Sequence, residues 1–121
     1  MSSPFFDTSI VIDWLMRRPQ AASELARYSG HRISRIVWTE VMAAEELERR
    51  DLVRQALSNF VIVELDERIA MAAADIRCRS KMRLLDACIL ATAQVNGAIL
   101  ITRNAKDFPA EMPGIRIPYK L

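Results

Sequence analysis

Four acidic residues, Asp7, Glu40, Asp86 and Asp107, lie just after apolar segments or at the predicted start of a helix. Carboxylates gathered from distant parts of a chain repel one another, which raises at least one pKa unless a divalent cation neutralises them. Oxygen ligands without His or Cys suit Mg²⁺ or Mn²⁺ better than Zn²⁺. Such ions activate water and stabilise charge that develops on a phosphodiester oxygen. The acids therefore predict a metal site that hydrolyses phosphodiester bonds.

The four acids are expected at one edge of a β-sheet. Asp7 follows the first predicted strand, Glu40 is expected to open the helix after the second, and Asp107 lies in the loop after residues 98–102. Asp86 starts an apolar helix whose first turn could face the same crevice. In open parallel sheets, ligands bind beyond the carboxyl ends of the strands. The four side chains are therefore predicted to converge there.

Apolar patterns divide the chain into strands and helices that alternate. Strands are predicted at residues 5–6, 32–36, 60–63, 98–102 and 115–117. Helices are predicted at 10–15, 20–29, 66–76 and 86–95, with one or two more within 39–58, and left-handed caps at Gly30 and Gly97. Alternating strands and helices imply βαβ units. The predicted fold is α/β, with three α/β/α layers and a central, mostly parallel sheet of four to five strands.

Length and composition favour a folded protein of ordinary type. A chain of 121 residues with 51% hydrophobic content can bury one core, so we expect a single domain over residues 1–121. The net charge of +2 excludes a generally cationic surface, so any contact with nucleic acid must be local. Cys78 and Cys88 lack CxxC spacing and are expected to be reduced, which suits the cytoplasm. Asp7 and Asp13 interrupt the N-terminal apolar run, so no membrane span or signal peptide is expected.

Four segments together resemble the motifs of PIN domains, in order and with family-like spacing. They are FFDTSIVIDWL (5–15), SRIVWTEVMA (34–43), LLDACILATA (84–93) and ILITRNAKDF (99–108). The resemblance is strongest to the VapC-type toxins of bacterial toxin–antitoxin pairs and covers essentially the whole chain. It implies an endoribonuclease that depends on Mg²⁺ or Mn²⁺, with RNA as its substrate.

By motif position, the resemblance makes Asp7, Glu40 and Asp86 the catalytic and metal-binding core, with Asp107 as the fourth acid. Many relatives carry an acid where this chain has Asn104. The resemblance also implies a cognate antitoxin, which would occupy an apolar groove between the helices of residues 9–29 and 39–58. The same face could support a homodimer.

Several residues around the acids are candidates for supporting roles. Thr8 could orient Asp7 or a metal-bound water, or be an ordinary turn hydroxyl, while Thr102 and Asn104 belong to the loop of the fourth motif. Arg103 and Lys106 in that loop are predicted to bind RNA phosphates. The basic run at residues 77–83 could guide RNA toward Asp86, or could simply be solvated at a helix end.

Two other interpretations of the acids stay open. Each acid taken singly could be a helix cap or a turn former, because such acids are common. The chain could also be a PIN-fold binding protein with weak or lost nuclease activity, a hypothesis motivated by Asn104. A receiver-type phosphotransfer domain is disfavoured, since no adjacent acid pair follows the first strand.

Overall fold

The computed structural model describes residues 3–121, in which five strands form one sheet and all the pairings are parallel. The strands, in chain order, are β1 (Phe5–Phe6), β2 (Arg32–Ser34), β3 (Val61–Val63), β4 (Leu100–Ile101) and β5 (Ile115–Arg116). Their spatial order is β3-β2-β1-β4-β5, so β1 lies at the centre. This confirms the predicted parallel sheet.

Helices make the crossovers from β1 to β2, from β2 to β3 and from β3 to β4, whereas residues 102–114 connect β4 to β5 without a helix. The helices are α1 (Thr8–Leu15), α2 (Pro19–Ala26), α3 (Arg35–Ala43), α4 (Arg50–Leu57), α5 (Glu67–Arg79) and α6 (Leu84–Val95), with a 3-10 helix at Leu47–Arg49. Helices on both faces bury Phe5 and Phe6 of the central strand almost completely. The predicted α/β/α architecture is confirmed. In residues 3–121 no helix is both long and apolar enough to cross a membrane.

Some predicted boundaries are wrong for local reasons. The second strand ends at Ser34 rather than residue 36, because the Ser34 hydroxyl accepts a hydrogen bond from the Val37 amide at 3.0 Å and caps α3. Glu40 therefore lies in the second turn of α3 and does not open the helix. The backbone of Gly30 is not in the left-handed conformation. The backbone of Arg17, after the end of α1, is left-handed instead, with a φ of 61°. The predicted cap at Gly97 is confirmed, with φ 62°.

Candidate active site

Asp7 is fixed at the end of the central strand. Its amide donates to the Ile101 carbonyl of β4 at 2.9 Å, which places its side chain at the carboxyl edge of the sheet. The Thr102 hydroxyl donates to Asp7 Oδ2 at 2.7 Å, and the side chain is only 5% exposed. Asp7 occupies the N-cap position of α1, yet its side chain makes no capping hydrogen bond there. The hydrogen bond that a simple helix-capping role would require is therefore missing at Asp7.

The electrostatic environment of Asp7 links it to two other predicted site acids. Burial raises its pKa above the ordinary value, the Thr102 hydrogen bond lowers it, and the charges of Glu40 and Asp86 raise it further. These repulsions require the three carboxylates to share one neighbourhood. The structure thus brings together Asp7, Glu40 and Asp86 from three separate segments.

Glu40 faces the site from α3 and is held by Thr8. The Thr8 hydroxyl donates to Glu40 Oε1 at 2.6 Å. The sequence left three roles open for this hydroxyl: orienting Asp7, holding a metal-bound water, or bonding within its own turn. In the structure it orients Glu40 instead, because Thr8 begins α1 and α1 packs beside α3.

Asp86 and Asp107 share one cation, Arg83. Asp86 lies in the first turn of α6 and is 7% exposed. Arg83 Nε is 3.3 Å from Asp86 Oδ2, and its Nη2 is 3.4 Å from Asp107 Oδ2. Burial raises the pKa of Asp86, the Arg83 charge lowers it, and the Asp107 charge raises it again. Asp107 therefore belongs to the same cluster of acids as Asp86.

The loop after β4 joins Asp107 to Asp7 through a chain of hydrogen bonds. Asn104 Nδ2 donates to Asp107 Oδ2 at 2.7 Å, and the Asn104 amide donates to the Thr102 hydroxyl at 3.0 Å. Thr102 in turn donates to Asp7. Thr102 and Asn104, two of the three residues predicted to support the site, thus each donate directly to one of its acids.

Comparisons with known proteins fit this geometry. The PIN domain model matches residues 5–110, which is most of the chain. The chain belongs to the PIN domain family. A search of curated protein sequences gives no match.

Solved structures support the same assignment for this PIN domain. A chain of a toxin–antitoxin complex from Klebsiella pneumoniae is 41% identical, with a TM-score of 0.90, and the match covers 98% of this chain and 100% of that one. A chain of DNA-bound VapBC from Salmonella typhimurium is 23% identical, with a TM-score of 0.79 and 97% of both chains covered. FitAcB from Neisseria gonorrhoeae gives 22% identity, a TM-score of 0.76, and coverage of 97% and 99%. The last two, because their identity is low, show the fold alone.

The two cations predicted to bind RNA have different environments in the PIN domain. The Arg103 guanidinium binds both carboxylate oxygens of buried Asp13, at 2.7 and 3.0 Å. Lys106 is exposed beside the acids. Sequence reasoning missed Asp13 as the partner of Arg103, since the two lie 90 positions apart. It also missed Arg83 as the cation shared by two acids, because nothing distinguishes that residue from the other cations of residues 77–83.

The acids of the PIN domain have the donor chemistry for a hard divalent cation. They offer only carboxylate oxygens, and two of the carboxylates are buried and repelled by their neighbours. Within residues 3–121, no three acidic, His or Cys side chains are close enough, as they stand, to hold a metal together. Each carboxylate is instead turned toward a hydroxyl, an amide or Arg83. The ligand set therefore fits in chemistry, and its side chains would have to turn inward to bind an ion.

Proposed function

We propose that this PIN domain is an endoribonuclease that depends on Mg²⁺ or Mn²⁺ and acts as the toxin of a VapBC-type toxin–antitoxin pair. One observation carries the proposal. Two buried carboxylates, Asp7 and Asp86, have raised pKa values and lie beside Glu40 and Asp107 at the carboxyl edge of a parallel sheet. Such a cluster is unfavourable unless it binds a cation, so it is a candidate catalytic site. Membership of the PIN family and the 41% identical chain of a toxin–antitoxin complex support the same conclusion.

In this proposal Asp7, Glu40, Asp86 and Asp107 hold the ion. When bound, a divalent ion supplies an activated water and compensation for charge on the phosphodiester oxygens. The hydroxyls of Thr102 and Thr8 fix Asp7 and Glu40, and the Asn104 amide fixes Asp107. Hydrogen bonds of this kind orient ligands and so reduce the reorganisation that metal binding costs.

The proposed antitoxin partner is supported by apolar side chains of the helices in residues 9–29 and 39–58. A cavity of about 330 Å³ lies among Trp14, Leu25, Tyr28 and Phe60. Leu47 and Leu52, at the start of the α4 region, are 75% and 65% exposed. Exposed leucines and a cavity lined by apolar side chains are features that protein interfaces use. We assign the surface to the antitoxin and leave a homodimer as a second proposal for the same face.

A second candidate function is a PIN-fold binding protein with weak or lost nuclease activity. Asn104 favours it, because an amide replaces a carboxylate expected from the family, and so does the absence of a preassembled group of three ligands in residues 3–121. Calorimetry separates the two candidates, since the nuclease must bind Mn²⁺ or Mg²⁺ and the binding protein need not.

RNA cleavage tests the proposed nuclease. The purified protein is expected to cut structured RNA with Mg²⁺ or Mn²⁺ and to stop in excess EDTA. Asp7→Asn and Asp86→Asn are expected to lower the rate about 100-fold or more, because each would remove a negatively charged ligand of the proposed ion and so weaken its stabilisation of charge on the phosphodiester. The matched control is Asp75→Asn, which changes an exposed acid of α5. Wild-type rates in both site variants would refute the site, and metal binding without cleavage of any RNA would refute the nuclease.

A further inference from the structure

Tyr119, which follows β5, reaches across the fold to a carboxylate of α1. Its hydroxyl donates to Asp13 Oδ2 at 2.9 Å, over a separation of 106 residues. Asp13 is 2% exposed, and the same Oδ2 accepts from Arg103 Nε at 2.7 Å. Burial and the hydrogen bond to Asp13 raise the pKa of Tyr119, so its hydroxyl stays protonated and donates at neutral pH. One carboxylate oxygen thus joins the side chains of Tyr119 and Arg103.

Arg103 lies in the chain between two residues that hold acids of the proposed site. On one side, the Thr102 hydroxyl donates to Asp7, and on the other, the Asn104 amide donates to Asp107, both at 2.7 Å. Peptide units are planar, so a shift of the Arg103 backbone moves both of its neighbours. The position of Arg103 therefore sets the position of both donors.

Arg103 is attached to α1 through both its backbone and its side chain. Its amide donates to Ser9 Oγ at 3.1 Å, and its guanidinium binds both carboxylate oxygens of Asp13 at 2.7 and 3.0 Å. A bidentate contact of this kind fixes the orientation of the guanidinium as well as stabilising it. Residues 105 and 106, further along the loop, are exposed, and the chain is fully buried again at Phe108. Arg103 therefore anchors an otherwise exposed loop to α1.

A second buried carboxylate has partners of the same kind in a different part of the fold. Glu24 accepts from two nitrogens of Arg116, at 2.7 and 3.0 Å, and from the Tyr28 hydroxyl at 3.1 Å. Within residues 3–121, these side-chain hydrogen bonds lead to none of the proposed site acids. A tyrosine, a buried acid and a bidentate arginine thus occur twice. The group around Asp13 differs because its arginine belongs to the loop of the site.

We propose that Tyr119 is a positioning residue of the acidic site. It acts through Asp13 on Arg103, and Arg103 holds the loop of residues 102–107 in place. The Tyr119 hydroxyl keeps Asp13 Oδ2 in the orientation that receives the guanidinium. Without this hydrogen bond the carboxylate can rotate, the loop opens more often, and the site acids are held less firmly. The inference rests on the proposed function, since it treats those acids as ligands of an ion.

Amide hydrogen exchange in EDTA tests this coupling without metal or RNA. Tyr119→Phe keeps the ring and removes the hydroxyl alone. Exchange at the Arg103 and Asn104 amides, which donate to side-chain hydroxyls, is expected to quicken about threefold to tenfold, as the loss of one hydrogen bond implies. The matched control is Tyr28→Phe, which removes the same hydroxyl from buried Glu24 and should leave the exchange of these two amides unchanged. Equal acceleration by both variants, or none by Tyr119→Phe, would overturn the proposal.

A double variant tests the route through Arg103. Arg103→Gln removes the guanidinium that Asp13 receives, so adding Tyr119→Phe in that background is expected to quicken exchange at the Asn104 amide no further. Arg103→Lys, which keeps the charge but loses the bidentate contact, takes its place if Arg103→Gln does not fold. An undiminished effect of Tyr119→Phe in the double variant would overturn the route and the proposal with it.

Calorimetry with Mn²⁺ separates this proposal from the proposed function. Tyr119→Phe is expected to weaken Mn²⁺ binding about threefold, because part of the binding free energy is then used to order the loop. RNA cleavage should fall by the same factor at low Mn²⁺ and recover at saturating Mn²⁺. If the wild type binds no Mn²⁺ while Tyr119→Phe loosens the loop, the positioning stands and the metal site fails. If the wild type binds Mn²⁺ and Tyr119→Phe binds it equally well, the metal site stands and the positioning role fails.

Discussion

Four carboxylates in residues 3–121 are almost fully buried, and they form two pairs with different partners. Asp13 and Glu24 are 2% and 4% exposed, and Asp7 and Asp86 are 5% and 7% exposed. Asp13 accepts hydrogen bonds from two nitrogens of Arg103 and from the Tyr119 hydroxyl. Burial is thus nearly the same in the two pairs, and the contacts separate them.

The pKa directions follow the contacts. Burial raises the pKa of Glu24, but the hydrogen bonds and charge of Arg116 outweigh that effect and the net shift is downward. The pKa values of Asp7 and Asp86 shift upward, since Asp7 forms no ion pair within residues 3–121 and Asp86 has one long contact to Arg83. Buried charge is tolerated structurally where a bidentate arginine compensates it, and it is costly elsewhere. The uncompensated pair is therefore the one expected to serve a ligand cation.

Breaking the ion pair between Arg103 and buried Asp13 is expected to have the largest effect on stability. Arg103→Gln leaves buried Asp13 with the Tyr119 hydroxyl and a longer contact, 3.5 Å, to Arg18. This should cost about 3 kcal/mol, the low end for buried pairs, because Arg103 is itself 33% exposed. The matched control, Arg49→Gln, removes an exposed pair with Glu45 and should cost about 0.5 kcal/mol or less. Urea unfolding measures both. A wild-type stability for Arg103→Gln, together with weaker RNA binding, would restore the predicted RNA-binding role of Arg103.

Removing the charge of Asp7, a buried acid without an arginine partner, is expected to change stability less and in the opposite direction: the fold becomes more stable. The folded pKa of Asp7 lies above its ordinary value of 3.8, so ionised Asp7 destabilises the fold. That penalty grows as pH rises from 3.8 through the folded pKa and is complete above it. In EDTA at pH 7, Asp7→Asn is therefore expected to raise Tm by a few degrees, and the gain should fade as the pH approaches that ordinary value.

Two comparisons sharpen the Asp7 measurement. Asp13→Asn is expected to lower Tm at pH 7, because the charge of Arg103 then loses its partner. Added Mn²⁺ is expected to stabilise the wild type by about 2.7 kcal/mol at 100 times its Kd, and Asp7→Asn much less. A lower Tm for Asp7→Asn in EDTA, or no effect of Mn²⁺ on the wild type, would contradict the assignment.

The features predictable from sequence are those encoded locally. The two residues of β1 and the two of β4 are recognisable because each short apolar run is followed at once by a polar turn. Since parallel strands end at a common edge, this placed Asp7 and Asp107 together before any contact was known. The position of Glu40 within α3 was not predictable in the same way, because it depends on a serine that ends one element and caps the next.

Partners across the fold could not be predicted from the sequence. Arg103 meets Asp13 over a separation of 90 residues, and Arg116 meets Glu24 over 92. Before the structure, Asp13 was only a charge interrupting an apolar run, and Arg103 was only a cation near the acids. Which acid is compensated is decided by tertiary packing, so the sequence identified the acids without separating structural from functional ones.

The smallest effect on stability is expected at Asn104, where a substitution can add one more negative charge beside Asp107. Asn104→Asp replaces the 2.7 Å hydrogen bond to Asp107 with repulsion, which should cost about 1 kcal/mol in EDTA. In Mn²⁺ the new carboxylate should raise affinity several-fold, as seen by calorimetry, because the ion converts that repulsion into attraction. Asn59→Asp is the matched control, since it also removes an amide hydrogen bond but lies on an exposed helix end. If both variants lose stability and neither gains affinity, Asn104 lies outside reach of the ion, and the proposed ligands remain Asp7, Glu40, Asp86 and Asp107.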